Sequence, residues 1–504
     1  MSWKKLDQLA QKLESLSHAS AMLNVDEACH MPKGGGEKRA EAMATLASMS
    51  HAILTSPEVG AWIADAEKET KNSPEQEKQR KIASLREWKL QYLNNSCLPS
   101  DFVEKKVEAN KKCEQLWRDL RGKNDWTGFL PAFSNVIEIA REEAQRRSEI
   151  LKLSPYDAMM EQFDSGNRDA WIAPLFAQLK KDLKEIIPQA LEKQKEKLAK
   201  NPLKKFCTNF PIEKQKALGE ALMKMIGFDF NHGRLDTSFH PFCGGVPSDV
   251  RITTRYRTDE FLQSLMGVLH ETGHALYEQG LPRRSPMHPV DNVQGMGIHE
   301  SQSLFVEMQL ARTGEFWQFA RPMVDEFLGL DAIKGWGLDD LLNYVNFVEP
   351  GLIRVDADEV TYPMHVILRF EIEKDLIAGK IMGRDIPELW NEKMREFLGL
   401  DTRGNYKDGC MQDVHWPSGA FGYFPSYTLG ALIAAQLWGK MEKDLPHCRQ
   451  EIAKGDFKAI NLWRKDKIWS QACLWEKSQL IERATGSVLD VRFFKEHLKQ
   501  RYLN

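Results

Sequence analysis

The sequence has no Cys-x-x-Cys pair, no run of 18 apolar residues, no Pro/Gly/Ser-rich linker and no repeat of fixed period. The first absence removes thiol-held metal knuckles and thioredoxin-type redox motifs. The second removes a helical membrane span. The third argues against separate blocks, although length alone would suggest about three domains. The fourth removes solenoids and propellers. Eight cysteines, at 29, 97, 113, 207, 243, 410, 448 and 473, are scattered singly. In a chain this large they read as reduced thiols and point to a cytoplasmic protein. No charge of one sign dominates: the net charge is −3, and nothing indicates a nucleic-acid partner. The N-terminal stretch MSWKKLDQLAQKLESL lacks the apolar core and cleavage site of a secretion signal. Leucines at 6, 9, 13 and 16 predict an amphipathic helix there instead.

With 42% hydrophobic and 28% charged residues, the composition is globular. Most of the chain reads as helix. One helix is predicted after Ser73 as N-cap, with Pro74 at its first position. Others are predicted near 101–121, 131–151 and 170–199, the last with Pro174 early and Pro188 kinking it. Residues 238–256, SFHPFCGGVPSDVRITTRY, break this pattern with two glycines, two prolines and the β-favouring RITTRY. They predict a turn and one or two short strands. The fold class is therefore all-α with a small β element near the functional site, in one domain over 1–504. Loops near 351–361 and 401–424 carry His, Asp, Trp and Gly that a plain helical bundle does not need.

The stretch LHETGHALYEQG, 269–280, is the most informative in the chain. Residues four apart on an α-helix share a face, so His270 and His274 project side by side and can offer one imidazole nitrogen each to a single zinc. Glu271 sits at the edge of that face, placed to take a proton from a water activated there. With 13 histidines in 504 residues, and glutamate at roughly 6% of positions, chance supplies about 0.02 such matches. Thr258 is the predicted helix cap, with Asp259 and Glu260 favouring the N-terminus. Phe261, Leu262, Leu265, Val268, Leu269 and Leu276 form the apolar face, and Gly280 and Pro282 end the helix. A catalytic zinc takes three protein ligands and keeps one position open. Glu300 in GIHESQSLFVE, 26 residues past His274, is the leading third ligand. Glu278 and His299 are rivals.

These residues resemble the carboxypeptidase Taq family of zinc carboxypeptidases. The motifs in order are HPF (240–242), DVRIT (249–253), HETGH (270–274), HESQ (299–302), IRVDAD (353–358) and GCMQDVHW (409–416). The match is densest over 236–437. In the N-terminal half the family usually shows a WDQ-like stretch before MP, where this chain has VDEACHMP at 25–32. The resemblance implies His270, His274 and Glu300 as metal ligands and Glu271 as general base. It implies one zinc per subunit, with cobalt as a candidate substitute, and removal of single C-terminal residues from peptides with broad tolerance. It also implies a two-lobed helical fold flanking a deep groove, as in neurolysin and angiotensin-converting enzyme, and a homodimer.

Peptide hydrolysis develops a tetrahedral oxyanion that needs a hydrogen-bond donor. Tyr423 and Tyr427 of FGYFPSYTLG are the candidates, Tyr423 the preferred one. His240 and His415 are candidates to orient substrate or a metal-bound water. An exopeptidase must also grip a free carboxylate, which suits the planar fork of arginine. Arg354 leads and Arg251 follows, each open to capture by Asp356, Asp358 or Asp249 in an ion pair. Asp413 is a candidate acceptor for the free N–H of a metal-bound histidine. Trp416 and Phe421 read as core packing ahead of a groove wall. The rival activity is an endo-acting oligopeptidase on the same fold. It would need no carboxylate-binding arginine.

Overall fold

Proline and amphipathic patterning set the helices of the N-terminal half. The computed structural model describes residues 2–206 and 209–504, so Cys207 lies outside the described residues. Helices run Ser2–Cys29, Gly36–Leu54, Pro57–Thr70, Glu75–Ser96, Ser100–Gly122, Trp126–Leu151 and Asp169–Lys200. The last remains one helix through Pro174 and Pro188. The helix expected to start at Pro74 starts one residue later. Pro74 is extended, at φ −56° and ψ 143°, and Ser73 caps nothing; its hydroxyl accepts from Lys81 instead, at 3.2 Å. The seven described cysteines are all free thiols. Among the described residues no helix is long and apolar enough to cross a membrane.

Among the described residues three strands interrupt the helices: β1 (Gly233–Thr237), β2 (Cys243–Val246) and β3 (Asp249–Thr254). Their order is β1-β3-β2, with β1 parallel and β2 antiparallel to β3. Leu235 stands opposite Ile252, and Gly245 opposite Val250. Sequence reading found the hairpin and missed β1, whose GRLDT has too few β-branched residues to announce a strand. Val250, Ile252 and Leu235 pack with Val268 and Ala275 of the following helix, which locks the sheet to the HETGH segment.

A smaller core gathers Leu6, Leu9, Leu54, Val59, Ile63, Leu85 and Trp88 of the first helices, and two large cores hold most of the rest. One gathers apolar residues of 97–190, 348–435 and 491–502; the other gathers those of 210–345 and 433–484. The helix Pro425–Asp444 belongs to both. Leu429, Leu432 and Ala435 face the first, and Ile433, Leu437, Trp438 and Met441 face the second. A helix apolar on all sides must be buried on all sides. Its first turn carries Tyr427, which places that residue where the two cores meet.

Candidate metal centre

The HETGH helix spans Leu262–Gly280 and ends as expected, with Pro282 just beyond. Its start differs from expectation. Thr258 does not cap it; the Glu260 carboxylate accepts the Gln263 backbone N–H at 2.9 Å, while Asp259 pairs with Arg257 at 2.6 Å. The apolar residues predicted for its buried face are all buried.

The second helix of the site is Gly295–Leu304. It approaches the first so closely at Gly273 that a Cβ there would stand 2.4 Å from the Gln302 carbonyl oxygen and 2.5 Å from Ser303 Cα. Only glycine permits this approach. The crossing brings Glu300 Oε2 to 3.3 Å from His274 Nε2 and 3.8 Å from His270 Nε2. These three are the one group among the described residues that could hold an ion, with ligand atoms within 4.8 Å of one another.

The donor set fits a metal. Ligands at about 2.0–2.1 Å from a tetrahedral zinc stand roughly 3.3–3.4 Å apart, close to the spacing seen. The charges point the same way. Burial opposes a proton on His270, yet the Glu300 and Glu307 carboxylates outweigh it and push that imidazole up to about 10. The two carboxylates thus surround the imidazole pair with negative charge, which a cation would offset. Burial would raise Glu300, but His270 and His274 pull it down to about 2. Burial keeps His274 neutral, down to about 4. Burial also raises the neighbouring Glu271 to about 7, in the range of a general base.

Each histidine has an outer partner. His270 Nδ1 lies 2.8 Å from Glu307 Oε2, and Glu307 accepts from Arg312 at 3.2 Å. Glu307 sits in a π-helical segment, Phe305–Leu310, that continues the Glu300 helix; such segments recur at functional sites. His274 Nδ1 lies 2.5 Å from His299 Nδ1, and His299 Nε2 lies 2.9 Å from Glu278. Glu278 and His299 therefore stand outside the ligand set.

Asp413 does not serve a metal-bound histidine. It accepts from Arg354 Nε at 2.9 Å and from Arg369 Nε at 2.7 Å. Burial alone would raise its carboxyl; Arg369 and Arg354 hold it well below the usual carboxylate range. Arg354 is thus paired with Asp413 and not with Asp356, Asp358 or Asp249. It also donates to the Tyr362 hydroxyl at 3.0 Å and lies 4.9 Å from the Tyr427 ring centre. Two arginines share one carboxylate, which leaves this buried cluster with one positive charge to spare. Arg251, in contrast, is held by Asp249 on β3 through two contacts of 2.5 and 2.7 Å.

Tyr423 and Tyr427 pack ring to ring at 5.2 Å, and the Tyr427 hydroxyl lies 3.2 Å from His415 Nε2. Burial raises both phenols, and the Glu300 charge adds to the rise; Tyr427 reaches about 12. Burial keeps His415 neutral, down to about 4. His240 is exposed between β1 and β2 with its ring against Phe239 at 4.7 Å. Trp416 and Phe421 are core: Trp416 donates to buried Glu373 at 2.7 Å and stacks on Phe421. Glu373 also accepts from the Gly422 N–H at 3.0 Å, which pins the loop that presents Tyr423.

Sequence reading missed Glu307, Arg312 and Arg369. Glu307 had a signal, seven residues past Glu300 and so on the same helical face. Arg369 had none, because its partner lies 44 residues away.

The family model for carboxypeptidase Taq (M32) metallopeptidases matches residues 5–502. The chain is 36% identical to thermostable carboxypeptidase 1 of Thermus thermophilus, over 99% of this chain and 98% of that one. It is 34% identical to carboxypeptidase 1 of Bacillus subtilis, over 99% and 98%. Among solved structures, metallocarboxypeptidase 1 of Trypanosoma cruzi superposes with a TM-score of 0.96 at 39% identity, covering 100% of this chain and 99% of that one. A carboxypeptidase of Pyrococcus furiosus gives 0.92 at 31% identity, covering 100% and 99%.

Proposed function

The chain belongs to the carboxypeptidase Taq (M32) metallopeptidase family, and on that premise we propose that it is a zinc carboxypeptidase acting on peptides with a free C-terminus. The observation that carries this reading is the convergence of His270, His274 and Glu300 beside buried Glu271. Residues 1–504 act as one catalytic unit.

When bound, zinc would polarise the scissile carbonyl and acidify a water. The remaining work falls to the chain. Glu271, raised by burial, accepts the proton of the attacking water and returns it to the departing amine nitrogen. The Tyr423 hydroxyl, kept protonated by burial, donates to the oxyanion of the tetrahedral intermediate, with Tyr427 and neutral His415 fixing its surroundings. Arg354 meets the terminal carboxylate, supported by the surplus charge it shares with Arg369 over Asp413. Arg251 and His240 are secondary contacts on the sheet side. Broad tolerance for the C-terminal side chain belongs to this reading. Cobalt suits the same donor set. The homodimer and the cytoplasmic location belong to this reading too, and light scattering of the purified protein checks the former.

A matched peptide pair, free acid against C-terminal amide, with and without a chelator, tests the activity. Stepwise loss of terminal residues from the acid alone, abolished by the chelator, is the expected result. Internal cleavage of the amide would establish the oligopeptidase instead.

A further inference from the structure

We propose that His299 and Glu278 form a two-member relay that positions His274, so that its Nε2 alone is offered to the metal. The proposal rests on the metal reading above and goes beyond the ligand set. Glu278 lies four residues past His274 on nearly the same face of one helix. His299 comes from the crossing helix, next to Glu300. Its ring fits between them, with Nδ1 at 2.5 Å from His274 Nδ1 and Nε2 at 2.9 Å from Glu278 Oε1. The Tyr277 ring packs on it at 5.4 Å, and the Tyr277 hydroxyl is itself held by the Gln294 N–H at 3.0 Å.

The proton positions follow from donor and acceptor rules. His274 Nε2 faces Glu300 at 3.3 Å, so it is the nitrogen whose lone pair a metal would use. His274 must then carry its hydrogen on Nδ1 and donate it to His299 Nδ1. His299 must accept there, so its own hydrogen is on Nε2. That hydrogen is donated to Glu278, which as a carboxylate can only accept. Each member fixes the tautomer of the next, and Glu278 anchors the chain. The two metal histidines are thus held differently. His270 meets its carboxylate, Glu307, directly at 2.8 Å, while His274 meets one through a second imidazole. Without His299 the His274 ring is free to turn away from the metal position.

The test is competition for zinc between the metal-free protein and a chromophoric chelator, with the visible spectrum of the cobalt form as a second readout. His299→Leu removes the acceptor and Glu278→Ala the anchor; each is expected to weaken zinc about 10- to 100-fold and to perturb the cobalt spectrum. His299→Asn places an amide oxygen where Nδ1 stood, and Glu278→Gln retains an acceptor. Both are expected to restore affinity to within several-fold of the parent, which a packing role alone would not produce. Parental affinity and spectrum in His299→Leu would overturn the relay, as would an Asn variant as weak as the Leu variant. If His299→Leu does not fold, Glu278→Ala decides from the more solvated end, and unchanged affinity there overturns the relay as well. A parent protein that binds no zinc would instead refute the metal reading.

Discussion

Gly430 lies against Glu300 so closely that a Cβ there would stand 2.7 Å from both the Cβ and the Cγ of that glutamate. The helix Pro425–Asp444 thereby clamps the side chain that brings the carboxylate to the two histidines. The same helix joins the two hydrophobic cores, so the clamp is mounted on an element packed on both sides.

Gly430→Ala should therefore disturb both the site and the packing of the two helices. Alanine favours the helix by about 0.5–1 kcal/mol, but the new methyl must push Glu300 aside. A zinc affinity at least about tenfold lower, together with a lower unfolding temperature of the metal-free protein because Glu300 Cβ cannot rotate away, is the expected pair of results. Unchanged affinity would show that Glu300 is not clamped there.

Gly273→Ala meets backbone on the facing helix, 2.4 Å from a carbonyl oxygen, and backbone cannot rotate away. It should destabilise by at least about 1–3 kcal/mol, read as a lower unfolding temperature. Gly267 on the same helix is the control. Its nearest neighbour is Thr254 Oγ1 at 3.9 Å, so Gly267→Ala should be neutral or slightly stabilising. Equal behaviour of the two variants would contradict the crossing geometry.

Glu271→Gln should retain zinc and lose about 10²–10⁴ in kcat, the usual worth of a positioned base. Metal content by atomic absorption, measured beside turnover, separates this from loss of the ion. Full activity would remove Glu271 from the base role.

Arg354→Met should raise KM for free-acid peptides about 10- to 100-fold, since it deletes a charge-assisted contact worth about 1.5–3 kcal/mol. Asp413 keeps Arg369 as a partner, so the fold should persist. A KM that does not move would hand the carboxylate to Arg251.

Glu359 is buried, at 4% exposure, and accepts from His497 at 2.7 Å and from Arg501 and Tyr502 at 2.9 Å each. It latches the C-terminal helix Val491–Tyr502. Burial would raise its carboxyl, but His497 and Arg501 hold it well below the usual carboxylate range. A depressed carboxyl contributes stability above its unfolded value, near 4.3, and loses it as pH falls towards the folded value. Glu359→Gln should destabilise by about 3–5 kcal/mol at neutral pH, with the deficit shrinking as pH drops below about 4. A deficit independent of pH in thermal or urea unfolding would contradict the pairing.

Much of the site was legible because its parts are local. The i,i+4 histidines, the flanking glutamate and the apolar stripe all follow from one helical repeat. Helix starts were misread by one residue at Pro74 and by several at Thr258. Capping depends on which side chain reaches the free N–H groups, and Glu260 reached them first. Asp413 was misassigned because a carboxylate near a histidine in sequence reveals nothing about arginines arriving from other elements. Strand β1 was missed because its partner β3 supplies the pairing that GRLDT does not advertise.

The order of residues by itself settled which groups share a helix face, where helical and extended backbone alternate, and hence which chemistry was available. Those are consequences of short-range geometry, set by a rise and a turn per residue. Which of Glu278, His299 and Glu300 would stand beside His270 and His274, which aspartate would hold Arg354, and how each histidine would be backed were decided only by tertiary contacts, the first of them where two helices cross at Gly273. Such contacts join residues that the backbone repeat does not relate, and their outcome depends on how closely two helix axes can approach.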